Sequence, residues 1–215
     1  AIGLVGSEMC IRDRYNNCRY HISQISSASS VEIIRERKKK VKFSCGVSIN
    51  NLSLNENDIG DFKTFLKLSP PLRTEDDRNA LVQGLVDETI DVIVSDHKPE
   101  DEENKRLTFA QAETGASGIE TLLPLSLELY HNGSVNLETI IKALTSSPAK
   151  ILKINKGNLS IGNDADFCIV DINKPWVVRK EKLISKSKNT PIEDKKLQGK
   201  VMNTFVNGEE LFKAE

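Results

Sequence analysis

Asp96 and His97 lie within DVIVSDHKPEDEENKR, residues 91–106. Residues 91–95, with the β-branched Val92, Ile93 and Val94, read as a strand. An acid and an imidazole therefore stand where an apolar strand opens into a charged loop. Such a pair can bind a metal ion or move a proton. The same residues can also cap a strand end without any chemistry, and spacing alone leaves both readings open. Of the other histidines, His21 reads as a packed strand residue. His131 closes the helical run ELYHNG, where a cation suits the dipole. The four cysteines, Cys10, Cys18, Cys45 and Cys168, have no CxxC spacing and read as free thiols in a reducing compartment.

The elements that position Asp96 follow an alternating order. CRYHIS reads as a strand, SASSVEIIRERKKK as a helix and VKFSCGVS as a second strand. NENDIGDF reads as a turn or short helix, and TFLKLSPPLR as a third strand closed by Pro70-Pro71. TEDDRNALVQGLVDE is a helix, with Thr74 as cap and Glu75, Asp76 and Asp77 in its positive first turn. IDVIVS is the fourth strand. Strands alternating with helices at this spacing predict an α/β fold with a parallel sheet. The long loop 96–118 is expected to be functional or disordered. Two helical segments follow, IETLLPLSLELYHNG and NLETIIKALTSSPAKILKI. From residue 157 onward the pattern changes to short β runs, with Asn207-Gly208 as a hairpin turn.

Bulk composition excludes several classes. The 215-residue chain is 38% hydrophobic and 28% charged, with a net charge of −1, as expected of a soluble globular protein. That balance gives no basic excess for nucleic-acid binding. RERKKK (Arg35–Lys40) reads as a solvated helix end. No apolar run approaches the roughly 20 residues that span a bilayer. No secretory signal is visible, so the cytoplasm is the default location. Val5–Arg14, VGSEMCIRDR, resembles a translated transposase sequencing adapter. Residues 1–14 are accordingly expected to be an artefactual leader, with a longer natural protein extending upstream.

FLKLSPPLRTEDDRNALVQGLVDETIDVIVSDHKPE closely resembles the dihydroorotases, the cyclic amidohydrolases of pyrimidine synthesis. GASGIETLLPL resembles that family's substrate loop and the helix start after it. LTSSPAKIL…GNLSIGNDADFCIVD and SKSKNTPIEDKKLQGKVMNTFVNGEEL resemble its C-terminal region. The resemblance covers the chain from about Tyr20 to its end. It implies the C-terminal half of a (β/α)8 TIM barrel over residues 15–156, and part of a small composite β-sandwich over 157–215. A whole barrel takes roughly 250 residues, so a chain of this kind is expected to be incomplete and inactive alone.

The resemblance also implies site residues, which such barrels carry at the C-terminal ends of strands. Family members use a metal centre, usually zinc, to make hydroxide from water. Asp96 matches the family's aspartate ligand and catalytic base. Gln24 and Asn50 stand where the family has histidine ligands. Ser69 replaces a substrate-binding asparagine, Glu100 replaces a histidine, and Gly115 and Gly118 match substrate-loop glycines. Amides are poor zinc ligands beside imidazole, so zinc is expected to be weakly bound or absent. The simplest reading is a degenerate, non-catalytic homologue like those that assemble with aspartate transcarbamoylase, in an oligomer. The alternatives are an active dihydroorotase using Asp96 and upstream ligands, or a hydantoinase- or allantoinase-like enzyme acting on another small cyclic amide.

Overall fold

The computed structural model describes residues 19–214. The proposed leader, Cys10 and Cys18 lie outside them. Three short strands, β1 (His21–Ile25), β2 (Ser44–Ser48) and β3 (Val92–Val94), form one parallel sheet in the order β1-β2-β3. Parallel neighbours need crossover connections. Helix α1 (Ala28–Lys38) makes the first, between β1 and β2. The second contains α2 (Ile49–Ser53), two 3-10 turns (Glu56–Ile59 and Thr64–Leu66) and α3 (Glu75–Val86).

The helices start where their polar residues permit. Ser27 caps α1 by accepting from the Ser30 amide, and Thr74 caps α3 by accepting from the Asp77 amide. Asp77 Oδ1 in turn accepts from the Ala28 amide at 2.7 Å, which ties the two helix N-termini together. Val31 and Ile34 of α1, Leu81, Val82 and Leu85 of α3, and Cys45 and Val47 of β2 are all buried in one core. At the other end of α1, Arg35 pairs with Asp87 and Lys38 with Asp91, while Arg37, Lys39 and Lys40 remain exposed. The basic run is thus largely a solvated helix end, with two of its cations in ion pairs.

The strand expected over TFLKLSPPLR does not form. Residues 64–66 make a 3-10 turn, and the chain from Lys67 to Arg73 runs without a ladder partner. Pro70 and Pro71 have no N–H to give. The Lys67 carbonyl is taken instead by the Gly115 amide, at 3.0 Å. Consequently β2 pairs directly with β3, through Gly46–Val92, Val47–Ile93 and Ser48–Val94.

After β3 comes a loop holding the short α4 (Glu102–Lys105), then α5 (Leu122–His131). The segment NLETIIKALTSSPAKILKI is two helices, α6 (Leu137–Leu144) and α7 (Ser146–Leu152). They break at Thr145, whose φ of −127° and ψ of −79° leave the helical region. The C-terminal part is an antiparallel sheet of β4 (Phe167–Val177), β5 (Lys196–Val206) and β6 (Glu209–Lys213), in the order β4-β5-β6. Its hairpin turns at Asn207-Gly208, both at positive φ. Leu197 of β5 and Val178 just beyond β4 join the main core. Ile169, Leu211 and Phe212, further along the sheet, are exposed. The structure is therefore a partial (β/α) barrel with a small separate β-sheet. Among the described residues, no helix is long and apolar enough to cross a membrane.

Candidate functional site

The C-terminal ends of β1, β2 and β3 point the same way, because the strands are parallel. Gln24 sits near the end of β1, Asn50 just beyond β2, and Asp96 two residues beyond β3. Asp96 has φ of 49°, a left-handed conformation that aspartate tolerates better than most residues and that often marks functional positions. Its Oδ1 accepts a hydrogen bond from Gln24 Nε2 at 2.8 Å. The structure thus brings together two of the three residues matched to metal ligands. They meet as an amide donor on a carboxylate. A flipped amide would set two oxygens against each other.

Asn50 is 1% exposed and belongs to α2, whose first turn is capped when Ser48 Oγ accepts from the Asn50 amide at 3.2 Å. Among the described residues its side-chain Nδ2 has no hydrogen-bond partner, and neither has Oδ1 of the neighbouring Asn51. Asn51 Nδ2 donates to the Pro71 carbonyl at 2.9 Å and fixes the double-proline segment. Ser69, just before it, is exposed.

Among the described residues the His97 ring makes no hydrogen bond to the Asp96 carboxylate. Its Nδ1 accepts from the Gly118 amide at 3.1 Å, which places the ring proton on Nε2. This fixes the return of the loop, as does the bridge between His97 and Ala116. Gly115 and Gly118 explain themselves here. A Cβ on Gly118 would lie 2.4 Å from the Ser95 carbonyl oxygen, and one on Gly115, at φ 141°, would lie 2.5 Å from that of Lys98. Both glycines let the two arms of the 96–118 loop touch.

Glu100 is turned toward the C-terminal segment. Its amide donates to Asn189 Oδ1 at 3.4 Å, and its carbonyl accepts from Ser187 Oγ. Lys98 lies 3.9 Å from its carboxylate. Glu120 precedes α5 and accepts the Ile184 and Ser185 amides at 2.9–3.1 Å. Arg73 donates to Ser26 Oγ at 3.1 Å. His21 Nδ1 is 2.7 Å from Ser44 Oγ, and burial lowers its pKa. His131 contacts the Ile172 carbonyl at 3.0 Å.

Two residues carry structural weight that the sequence did not single out. Lys105, in the charged run DEENKR, is 1% exposed. Its ammonium donates to the carbonyls of Glu113, Thr64 and Lys67 at 2.7, 3.2 and 3.4 Å, and burial draws its pKa down to about 8. Asn189 is 2% exposed and joins three segments of chain. The burial of Lys105 leaves no trace in a run of charged neighbours. Asn189 lies in SKSKNTP, a stretch whose family resemblance is its one signal.

The zinc centre that the resemblance implies takes imidazole and carboxylate donors. Around Asp96 stand one carboxylate and an amide that already donates to it, and the matched position on β2 offers a second amide. Among the described residues, no group of three or more His, Cys, Asp or Glu is placed to hold a metal ion. This half-site does not fit zinc, which takes imidazole, thiolate and carboxylate donors.

Comparison with known proteins agrees with the architecture. The family model described as the Amidohydrolase family matches residues 9–211. A dihydroorotase of Ehrlichia canis (strain Jake) is 40% identical over 212 residues, covering 98% of this chain and 47% of the relative. One of Acetivibrio thermocellus is 40% identical over 200 residues, covering 92% and 47%. The chain thus spans about half the length of the curated relatives it matches. An L-hydantoinase (dihydropyrimidinase) from Arthrobacter aurescens superposes with a TM-score of 0.92 at 26% identity, over 97% of this chain and 48% of that one. The inactive dihydroorotase-like domain of a Chaetomium thermophilum CAD-like multifunctional protein superposes with a TM-score of 0.71 at 20% identity, over 95% and 54%. With a parallel sheet that carries Asp96 at its C-terminal end and relatives of this kind, the chain belongs to the amidohydrolase family, as a dihydroorotase-like member.

Proposed function

We propose that this chain is part of a non-catalytic dihydroorotase homologue of pyrimidine biosynthesis, one that associates with aspartate transcarbamoylase rather than turning over a cyclic amide. The observation that carries this reading is the Gln24–Asp96 hydrogen bond, 2.8 Å from Nε2 to Oδ1. Where the family resemblance expects an imidazole and a carboxylate both directed at a metal, an amide donates to one oxygen of the carboxylate instead. Asn50 adds a second amide at a ligand position, and Ser69 and Glu100 replace two substrate contacts. Removing imidazole ligands weakens zinc, and with it the lowered water pKa that the hydrolysis needs. The fold itself is compatible with such a role, since the Chaetomium domain described as inactive carries it.

One observation favours the alternative of an active enzyme. Asp96 is retained at the strand end, and only its Oδ1 is engaged among the described residues. An active dihydroorotase would use that carboxylate as its base. The test is dihydroorotate turnover by the purified full-length protein and its Asp96→Ala variant. Our reading expects no turnover above background in either, together with co-purification of the transcarbamoylase. Robust turnover that Asp96→Ala abolishes would establish the alternative.

A further inference from the structure

The loop carrying Glu100, Gly115 and Gly118 is held from two sides. On one side Lys105 grips the carbonyls of residues 64, 67 and 113. On the other lies the segment 183–190, which belongs to the C-terminal part of the chain. The contacts there are dense. The Ser117 amide donates to the Asn189 carbonyl at 3.1 Å, and Ser117 Oγ lies 3.1 Å from the Ser187 carbonyl and 3.0 Å from Asn189 Oδ1. Asn189 Nδ2 donates to the Gly115 carbonyl at 3.1 Å. The Glu100 amide donates to Asn189 Oδ1 at 3.4 Å, and Ser187 Oγ contacts both that oxygen and the Glu100 carbonyl.

Three protons, from the two serine hydroxyls and the Glu100 amide, are shared among the two lone-pair sites of Asn189 Oδ1 and the carbonyls of Glu100 and Ser187, so each hydroxyl donates to one of its two acceptors at a time. Asn189 and Ser117 are 2% and 5% exposed, so these bonds are made out of water, where losing one partner is costly. One side-chain amide thus bridges the two arms of the loop. Its oxygen takes the Glu100 amide and lies 3.0 Å from the Ser117 hydroxyl, and its nitrogen holds the Gly115 carbonyl.

We propose that Asn189 is a positioning residue that sets the conformation of the candidate ligand-binding loop from the C-terminal segment. It couples the arm that bears Glu100 to the arm that bears Gly115 and Gly118. The role rests on the reading of those three positions as ligand-facing. The clamp itself does not depend on whether the site turns over substrate. The experiment reads loop order directly, so its failure is distinct from a failure of the functional reading.

The test is amide hydrogen exchange on the full-length protein, comparing wild type with Asn189→Ala and Asn189→Asp. Asn189→Ala removes both ends of the side-chain clamp and leaves the Asn189 carbonyl that accepts from the Ser117 amide. Exchange should rise by about tenfold or more at Glu100 and Gly115, while the amides of β2 and β3 keep their rates. Asn189→Asp keeps the acceptor and loses the donor to the Gly115 carbonyl. It should raise exchange at Gly115 while leaving Glu100 protected. That split is one a merely structural residue would not produce. Wild-type exchange at both arms in both variants would overturn the proposal. So would a rise shared with β2 and β3, or loss of folding in both variants.

Discussion

Gln24 and Asp96 meet across the sheet, from the end of β1 and from beyond β3, with Nε2 donating to Oδ1 over 2.8 Å. Asp96 thus meets an amide donor at a position where the family resemblance implies an imidazole ligand. If the amides at Gln24 and Asn50 are what disables the centre, returning imidazoles should restore part of it. In the full-length protein, Gln24→His combined with Asn50→His should tighten zinc by about tenfold or more. Competition against a chromophoric chelator reads this. An affinity equal to wild type would mean that these two positions do not limit metal binding.

The touching arms of the 96–118 loop give a stability prediction. Gly118→Ala would put a methyl 2.4 Å from the Ser95 carbonyl oxygen and disturb the Gly118 amide that donates to His97 Nδ1. The backbone must move, at a cost of about 1–3 kcal/mol. Urea denaturation of the full-length protein should show that loss. A change too small to resolve would show that the arms are less closely apposed.

Much of the fold is legible in the sequence, and the failures have physical causes. The β-branched trio Val92–Val94 and the Thr74 cap with its acidic first turn announce β3 and α3. FLKLSPPLR looks like a strand because its leucines alternate with polar residues. Its two prolines cannot join a ladder, and tertiary contacts with Gly115 and Asn51 take its carbonyls instead. At the site, residue types were legible and pairing was not. Nothing in HISQIS shows that Gln24 would donate to a carboxylate 72 residues away. Lys105 was illegible for a different reason. A lysine between charged neighbours looks solvated, and its burial depends on three carbonyls brought by distant segments.

Lys105 supplies a pH dependence with a definite sign. Burial lowers its pKa from 10.5 to about 8, so between those values the unfolded chain binds more protons than the folded one. Stability from this group therefore rises as pH increases from about 8 to about 10.5, and the burden of the desolvated charge is fully present below 8. Comparing thermal unfolding of wild type and Lys105→Met across pH 7–10 isolates this part. The gap between the two should move in favour of the wild type as pH rises. A gap independent of pH would place the Lys105 pKa outside that window.

On the proposed reading this protein does not hold the metal that its family resemblance implies. That claim is tested most directly by the zinc content of the full-length protein, purified without chelators, equilibrated with excess zinc, desalted and measured by mass spectrometry. The proposed reading predicts far less than one zinc per chain, because amides stand at Gln24 and Asn50 and the Gln24 amide engages one oxygen of Asp96. One or two tightly held zinc ions per chain would contradict it.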